Sequence, residues 1–217
     1  ISLWTDNTIK HLHLLKEMNT SLHLGMFIPD TRVIEQLNSM GWYNVFYLPP
    51  WHIDANIFKP QPPNSKINRE VSFAATFNPY LAERTKWRAG WNEKMNNAGN
   101  SIIKLSREIN GYVDVFDFLN DEWDVNSEQF SRISHAMYFE QKSIIREQLI
   151  KQLDDVEVEI TGIGSAQSNQ SNVKMGEGLE WWYLSPFFCS SIINLNLTPW
   201  PRSCHHGVFQ ISASGAF

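Results

Sequence analysis

The residues best suited to chemistry lie at the ends of stretches that read as strands. Gly162-Ile-Gly164 follows the alternating run Val156-Glu-Val-Glu-Ile160. Glycines there leave backbone N–H groups open to an anionic ligand, with no side chain in the way. The pair lacks the third glycine of the dinucleotide fingerprint, so an ordinary strand-ending turn accounts for it equally well. Arg84 and Lys86 sit near the front of the helix read after Thr76-Phe-Asn-Pro79. The helix dipole disfavours cations at that end, and a bound phosphate would supply the compensating charge; a solvated helical face is the other reading. His205-His206 precede Gly207-Val-Phe-Gln210 at the start of a short terminal helix. One of them could hydrogen-bond a phosphate or a sugar hydroxyl, and a structural or solvent-facing role stands beside that reading. Adjacent positions on a helix diverge, and no HExxH pattern accompanies the pair, which argues against a metal. Asp6 stands just after the first strand, where α/β units project side chains into a ligand crevice, and reads either as a base or as a helix N-cap. The chain has no Walker phosphate loop, no GxSxG elbow and no Cys-His-Asn arrangement, which removes Walker-type NTPase and nucleophilic hydrolase chemistry.

The elements that must position these groups alternate between strand and helix. Residues 1–4, 24–27 and 45–48 read as strands, with helices over 7–17 and 30–40 between them. Asp30-Thr31 gives the second helix its start and Gly41 its end. Residues 58–66 hold Pro60, Pro62 and Pro63 among polar residues, which is linker chemistry. Residues 70–76 then open a new unit as a strand, Asn78-Pro79 turns the chain, and a helix is read over 81–95. Residues 100–135 fit short strands and helical pieces equally. A helix over 134–153 carries Ile145, Leu149 and Leu153 at every fourth position. Strands follow over 156–160, 179–183 and 192–197, with a polar loop over 165–172 and a helical turn over 186–191. The closing segment 190–217 reads as a buried strand, a polar loop and a helix ended by Ser214-Gly215. In an open α/β sheet that order places a helix N-terminus beside the ligand crevice. An apolar start to a further strand is expected after Phe217, so the chain reads as truncated at both ends.

Composition narrows the function classes. A net charge of -5 without a basic cluster argues against a nucleic-acid partner. Cys189 and Cys204 stand alone, without zinc-ligand spacing or a disulfide framework, and fit a reducing, cytoplasmic setting. No run approaches the roughly 20 apolar residues of a transmembrane helix. The nine tryptophans are the unusual feature, and they suit core packing or stacking on the CH face of a sugar.

Several of these pieces together resemble one family. Tyr47-Leu-Pro-Pro-Trp-His-Ile-Asp54 with Phe58-Lys-Pro60 is similar to the segment that ends the N-terminal domain of the CgeB-type, spore-maturation-protein-like glycosyltransferases. Glu70-Val-Ser-Phe73 with Arg84, Val158-Glu-Ile-Thr-Gly162, Ile192-Ile-Asn-Leu-Asn196 and residues 208–217 resemble that family's later motifs, in the same order. The resemblance implies a GT-B architecture: two Rossmann-like α/β domains facing across a cleft, both incomplete here. They would be residues 1–60, on the acceptor side, and residues 70–217, holding the nucleotide sugar, with a linker over 61–69 and an insertion at about 98–140. It implies transfer of a hexose-type sugar from a nucleotide-sugar donor to a glycan, protein or small-molecule acceptor, with no metal or other cofactor. The donor-binding set it implies is Asn78, Arg84, Lys86, Gly162, Gly164, His205, His206 and Gln210, with Asp6 to take the acceptor's proton. Gln210 stands where the family commonly carries a ribose-binding glutamate, and Gly207 lies near the place of an arginine. Those departures keep open a second reading, a GT-B-like binding or scaffold module without turnover. Epimerase or phosphorylase chemistry shares the fold but requires residues that cannot be located here.

Overall fold

The computed structural model describes residues 2–3, 12–18, 20, 24–49, 53–63, 69–76, 80–119, 122–162, 170–197, 202 and 204–217. They form an α/β protein with two parallel sheets, divided into two compact units. The first unit comprises Ile1–Pro50, Arg84–Ile145 and Thr198–Cys204, and the second Trp51–Glu83, Arg146–Leu197 and His205–Phe217. Among the described residues no helix is long and apolar enough to cross a membrane.

In the first unit, β1 (Ser2–Leu3), β2 (Met26–Ile28) and β3 (Val45–Tyr47) pair in parallel in that order. Helix α1 (Leu12–Leu15) and helix α2 (Thr31–Ser39) connect them, which is the α/β rhythm expected from the sequence. Asp30 caps α2 by accepting from the backbone N–H groups of Arg32 and Val33 at 2.8 and 3.3 Å, and α2 buries Val33 and Leu37. Gly41, at φ +91°, lets the chain leave the helix in the left-handed region.

The rest of the first unit is helical. Helix α3 (Tyr80–Trp87) stops one turn past its middle, the chain reverses at Gly90 with φ +71°, and α4 (Glu93–Glu108) restarts on the side chain of Asn92, which accepts from the Met95 N–H at 2.9 Å. The single helix expected over 81–95 is therefore two. The ambiguous stretch carries helices joined by turns, with no strand among the described residues: Ile102 and Ile103 lie in α4, and α5 (Val115–Leu119) takes Phe116. Helix α6 (Glu128–Gln152) begins earlier than its apolar pattern suggests and contributes its front to the first unit and its end to the second. Phe130, Ile133, Met137 and Ile144 form its buried stripe, and Glu140 sits in the same stripe, fully buried.

That carboxylate is paired. Arg88, also buried, donates through Nε and Nη2 to both oxygens of Glu140 at 2.5 and 2.7 Å. Asn100 of α4 accepts from Arg88 Nη1 at 2.8 Å and from Arg84 Nη2 at 2.6 Å. Gly99 makes room for this arrangement, since a Cβ there would lie 2.7 Å from the Trp91 ring and 3.2 Å from the Arg88 guanidinium carbon. The fork geometry of arginine matches a carboxylate at both ends, so the pair ties the α3–α4 turn to α6.

The second unit holds β4 (Arg69–Ala74), β5 (Val158–Thr161), β6 (Val173–Gly176) and β7 (Ser191–Leu195), all parallel, in the order β6-β5-β4-β7. Val71, Phe73, Val158, Ile160 and Val173 of the sheet pack with Ile150 from the end of α6. A second apolar cluster joins Phe58, Phe187 and Phe188 of α7 (Leu184–Cys189), and Ile211 of α8 (His206–Ala213). Strand β6 lies just past the polar loop and was not expected from the sequence, whereas Trp181–Tyr183, expected as a strand, is a 3-10 turn.

Breaking a buried ion pair leaves one charge unpaired, at a cost of about 3–5 kcal/mol. Arg88→Leu is expected to lower the unfolding free energy by about that amount. The double replacement Arg88→Leu with Glu140→Leu should recover most of it, as read by chemical denaturation. Additive losses in the double variant would show that the pair is not the linkage described.

Candidate functional site

Read as a unit of its own, the second sheet has the strand order 3-2-1-4, the first part of a doubly wound sheet. Such a sheet reverses direction between its first strand and the strand on the other side of it, and a crevice opens there beyond the carboxyl ends. Here those strands are β4 and β7, so the switch point falls after Ala74 and Leu195.

The residues that reach this end of the sheet do so for identifiable reasons. Asn196, the first residue past β7, meets Nδ1 of His205 at 3.2 Å. His205 is the N-cap of α8, and its Nδ1 accepts from the Gly207 N–H at 3.2 Å. An imidazole thus takes the place of the usual Ser, Thr, Asp or Asn cap. Because His205 precedes the helix, it does not diverge from His206 as neighbours inside a helix would, and the two rings lie 4.0 Å apart. Gly207 is buried, and a Cβ at that position would stand 2.6 Å from Asn196 Oδ1 and 3.1 Å from His205 Nδ1. Close approach of the first turn of α8 to the end of β7 therefore excludes any larger residue unless Asn196 and His205 move aside.

Gly162 has an equally firm cause. Beyond β5 the chain runs against the end of β4, where the Ala75 N–H donates to the Thr161 carbonyl at 2.8 Å. A Cβ on Gly162 would come within 2.0 Å of the Ala75 oxygen. The glycine is required by this strand-to-strand approach, and the same approach brings backbone rather than side chains to the crevice. Arg146, buried on the end of α6, donates from Nη1 to the Thr76 carbonyl and lies over the Phe73 ring at 5.2 Å. It puts a guanidinium just past β4. The sequence carries a signal for it: Arg146 falls four residues before Ile150, on the apolar face of its helix.

Gln210 lies within α8 and is 3 % exposed. Its Nε2 is buried with no hydrogen-bond partner among the described residues, while its backbone carbonyl accepts from Ser214 Oγ at 2.8 Å. A buried amide donor left unpaired costs about 1–3 kcal/mol.

Gly162, His205, His206 and Gln210 therefore belong to the second unit, and Arg84 and Lys86 to the first. Asp6, Asn78 and Gly164 lie outside the described residues. Since α3 ends at Trp87, Arg84 and Lys86 occupy its last turn, where the helix dipole favours cations. The electrostatic reason for expecting a phosphate beside them disappears with the longer helix. Arg84 is engaged by Asn100 and lies 3.9 Å from Glu140.

The first unit gathers its own titratable groups at the carboxyl ends of β2 and β3. Arg202 Nη1 lies 3.3 Å from Glu35, its Nη2 3.4 Å from Asp117 and its Nε 3.6 Å from Asp114, and Arg32 Nη2 meets Asp117 at 2.6 Å. Asp30, buried beneath them, has its carboxyl pushed above the usual range by desolvation, with the cap hydrogen bonds and Arg202 opposing that rise. Partial burial also raises the Tyr47 phenol, helped by Cys204 and Asp30. Asp30 was legible only as a helix start.

Compared with known proteins, the chain matches no family model, no curated protein and no solved structure.

The geometry makes two predictions. Gly162→Ala must displace backbone, and is expected to destabilise the protein by about 1–3 kcal/mol in thermal or chemical unfolding; an unchanged midpoint would refute the required close approach. For Asp30, a folded pKa raised above the unfolded value of 3.8 means the native state binds the extra proton, so its contribution to stability falls as pH rises through that window. Asp30→Asn keeps a good cap and removes the buried charge. The variant should match or exceed the parent in stability at pH 7, with its relative advantage shrinking below about pH 4. A variant that loses stability at neutral pH would reverse the sign.

Proposed function

We propose that this protein is a nucleotide-sugar-dependent glycosyltransferase, with the nucleotide diphosphate held at the carboxyl ends of β4 and β7 in the second unit. The observation that carries this reading is the junction at the switch point, where the N-terminus of α8 is docked through His205 and Gly207 onto Asn196 at the end of β7. A helix N-terminus at a parallel-sheet switch point directs the positive end of its dipole at an anion, with the Gly207 and Val208 N–H groups here held by His205. Gly162 keeps the neighbouring strand end free of a side chain, and Nε2 of Gln210, without a partner among the described residues, could donate to an acceptor of the kind a ribose hydroxyl or base carbonyl provides.

The chemistry follows from charge. The bond from the anomeric carbon to the diphosphate oxygen breaks, a bond to the acceptor oxygen forms, the acceptor's proton passes to a base, and the diphosphate departs with the electron pair. Donors fixed before the reaction stabilise that leaving charge most effectively in a site from which water is excluded. Asp6 is the candidate base in an inverting reaction. The resemblance to the CgeB-type family and its GT-B architecture supports the same reading. A diphosphate role for Arg84 would compete with its contacts to Asn100 and Glu140. The second reading, a nucleotide-binding module without turnover, is favoured by Gln210 in place of a carboxylate and by the exclusion of a basic side chain at Gly207.

Calorimetric titration with UDP, GDP, ADP and TDP, followed by donor-turnover assays on the matching sugar nucleotides, tests both readings. Binding of at least one nucleoside diphosphate is expected. Gln210→Leu should weaken it about tenfold, the equivalent of one hydrogen bond of about 1.4 kcal/mol, while raising the thermal midpoint of the unliganded protein. Binding without transfer selects the module. Absence of binding to every nucleotide, or affinity unaltered in Gln210→Leu, would refute the proposed site.

A further inference from the structure

Helix α4 is amphipathic in an informative way. Met95, Gly99, Ile102 and Ile103 are buried, while Glu93, Asn97 and Ser101 recur at every fourth position on the opposite flank. That flank does not simply face solvent. It forms one wall of a cavity of about 550 Å³ whose other wall comes from α5 and the turn that follows it, through Phe118, Leu119, Glu122 and Trp123. A volume of this size accommodates a small ligand.

We infer that this cavity, within the first unit, is a saccharide-binding site. Its apolar element is specific. Val115, Phe116 and Leu119 of α5 are buried, yet Phe118 is 40 % exposed at the cavity wall and leaves an aromatic surface available. Trp123 is buried beside it, with Lys94 Nζ 4.3 Å over its ring and donating to the Glu122 carbonyl at 3.3 Å, which fixes the ammonium at the rim. Trp123 Nε1 is buried with no acceptor among the described residues.

Ligand class follows from what the lining would leave unpaired. A phosphate or nucleotide would meet the carboxylates of Glu93 and Glu122 against the single charge of Lys94, an unfavourable balance. A purely apolar ligand would strip water from those groups and from Asn97 and Ser101 without replacing its hydrogen bonds. A neutral sugar satisfies both requirements. Its CH face covers an aromatic ring such as Phe118, while its hydroxyls donate to carboxylates and accept from amide, hydroxyl and ammonium groups. The inference rests on residues of the first unit alone and does not depend on the nucleotide site proposed above.

The test uses the intact protein, with ligand-observed saturation-transfer NMR and calorimetry against glucose, galactose, mannose and N-acetylglucosamine, and with inorganic phosphate and UDP as anionic controls. At least one sugar should bind with a dissociation constant on the order of 1 mM. Asn97→Ala, at an exposed helix position, should weaken it about tenfold with an unchanged thermal midpoint. Ser101→Trp, which fills the cavity, should abolish it. No sugar binding at concentrations up to about 50 mM, or sugar binding unaltered in Asn97→Ala, overturns the inference. UDP binding that Asn97→Ala leaves unchanged reports on the second unit, so the two proposals fail separately.

Discussion

Strand β4 is hydrogen-bonded along both edges, to β5 on one side and β7 on the other, and the second unit is organised around that fact. A strand in this position must be apolar on both faces, because helices cover a parallel sheet above and below. Val71, Ser72 and Phe73 are buried accordingly. Ser72 is admitted because its hydroxyl meets Asn194 of β7 at 2.5 Å. The same two-sided pairing fixes where the sheet changes direction. It therefore fixes where side chains and helix ends can surround a ligand without competing with the backbone ladder. Gly162 and Gly207 are consequences of this constraint: each lies where an adjoining element closes on a strand end, and each is small because that approach leaves no room for a side chain.

Buried charge serves a different purpose in each unit. In the first, Glu140 and Arg88 satisfy one another with bidentate geometry, and Asn100 accepts one further guanidinium donor from each of Arg88 and Arg84. Such a pair contributes little net stability compared with an apolar core, because desolvation offsets most of the attraction. It does define one register between the helices, since a slipped helix would bury either ion alone. In the second unit, Arg69 lies over the Phe187 ring at 4.4 Å and 3.3 Å from Glu159, and burial lowers its pKa while Glu159 opposes the change. Arg146 sits on the Phe73 ring. Both guanidiniums lie over an aromatic face, a role lysine would fill less well.

The parts of the fold legible in the sequence were those with a local cause. The strand-helix-strand order of the first fifty residues, the Asp30 cap, the stop at Gly41, and the terminal helix closed at Ser214-Gly215 each follow from a few adjacent residues. The failures have physical reasons too. The helix expected over 81–95 runs through Gly90, yet a left-handed glycine reverses the chain there, although Trp87, Trp91 and Met95 keep a four-residue apolar spacing across it. Strand β6 was missed because Val173-Lys-Met-Gly176 is short, polar at one of its four positions, and follows a loop of Ser, Gln and Asn. Its strand identity comes from pairing with β5, which no local pattern encodes. Glu140 and Arg146, charged residues within apolar helical stripes, were the readable anomalies. Their partners, fifty residues or more away along the chain, were not.

The candidate site illustrates how one error of length propagates into chemistry. While Arg84 and Lys86 were taken as the front of a long helix, their charge demanded an anion. Placed in the last turn of a short one, they are where cations belong, and the demand vanishes. At the terminal helix the effect is the reverse. Gly207 looked like the loss of a basic residue, but the contact it makes possible with Asn196 is what brings the N-terminus of α8 to the sheet. A longer side chain at that position could add a charge only by displacing Asn196 and the His205 cap. The junction between β7 and α8 is therefore built from a glycine, the His205 cap and the Asn196 side chain, with no room for a further charge.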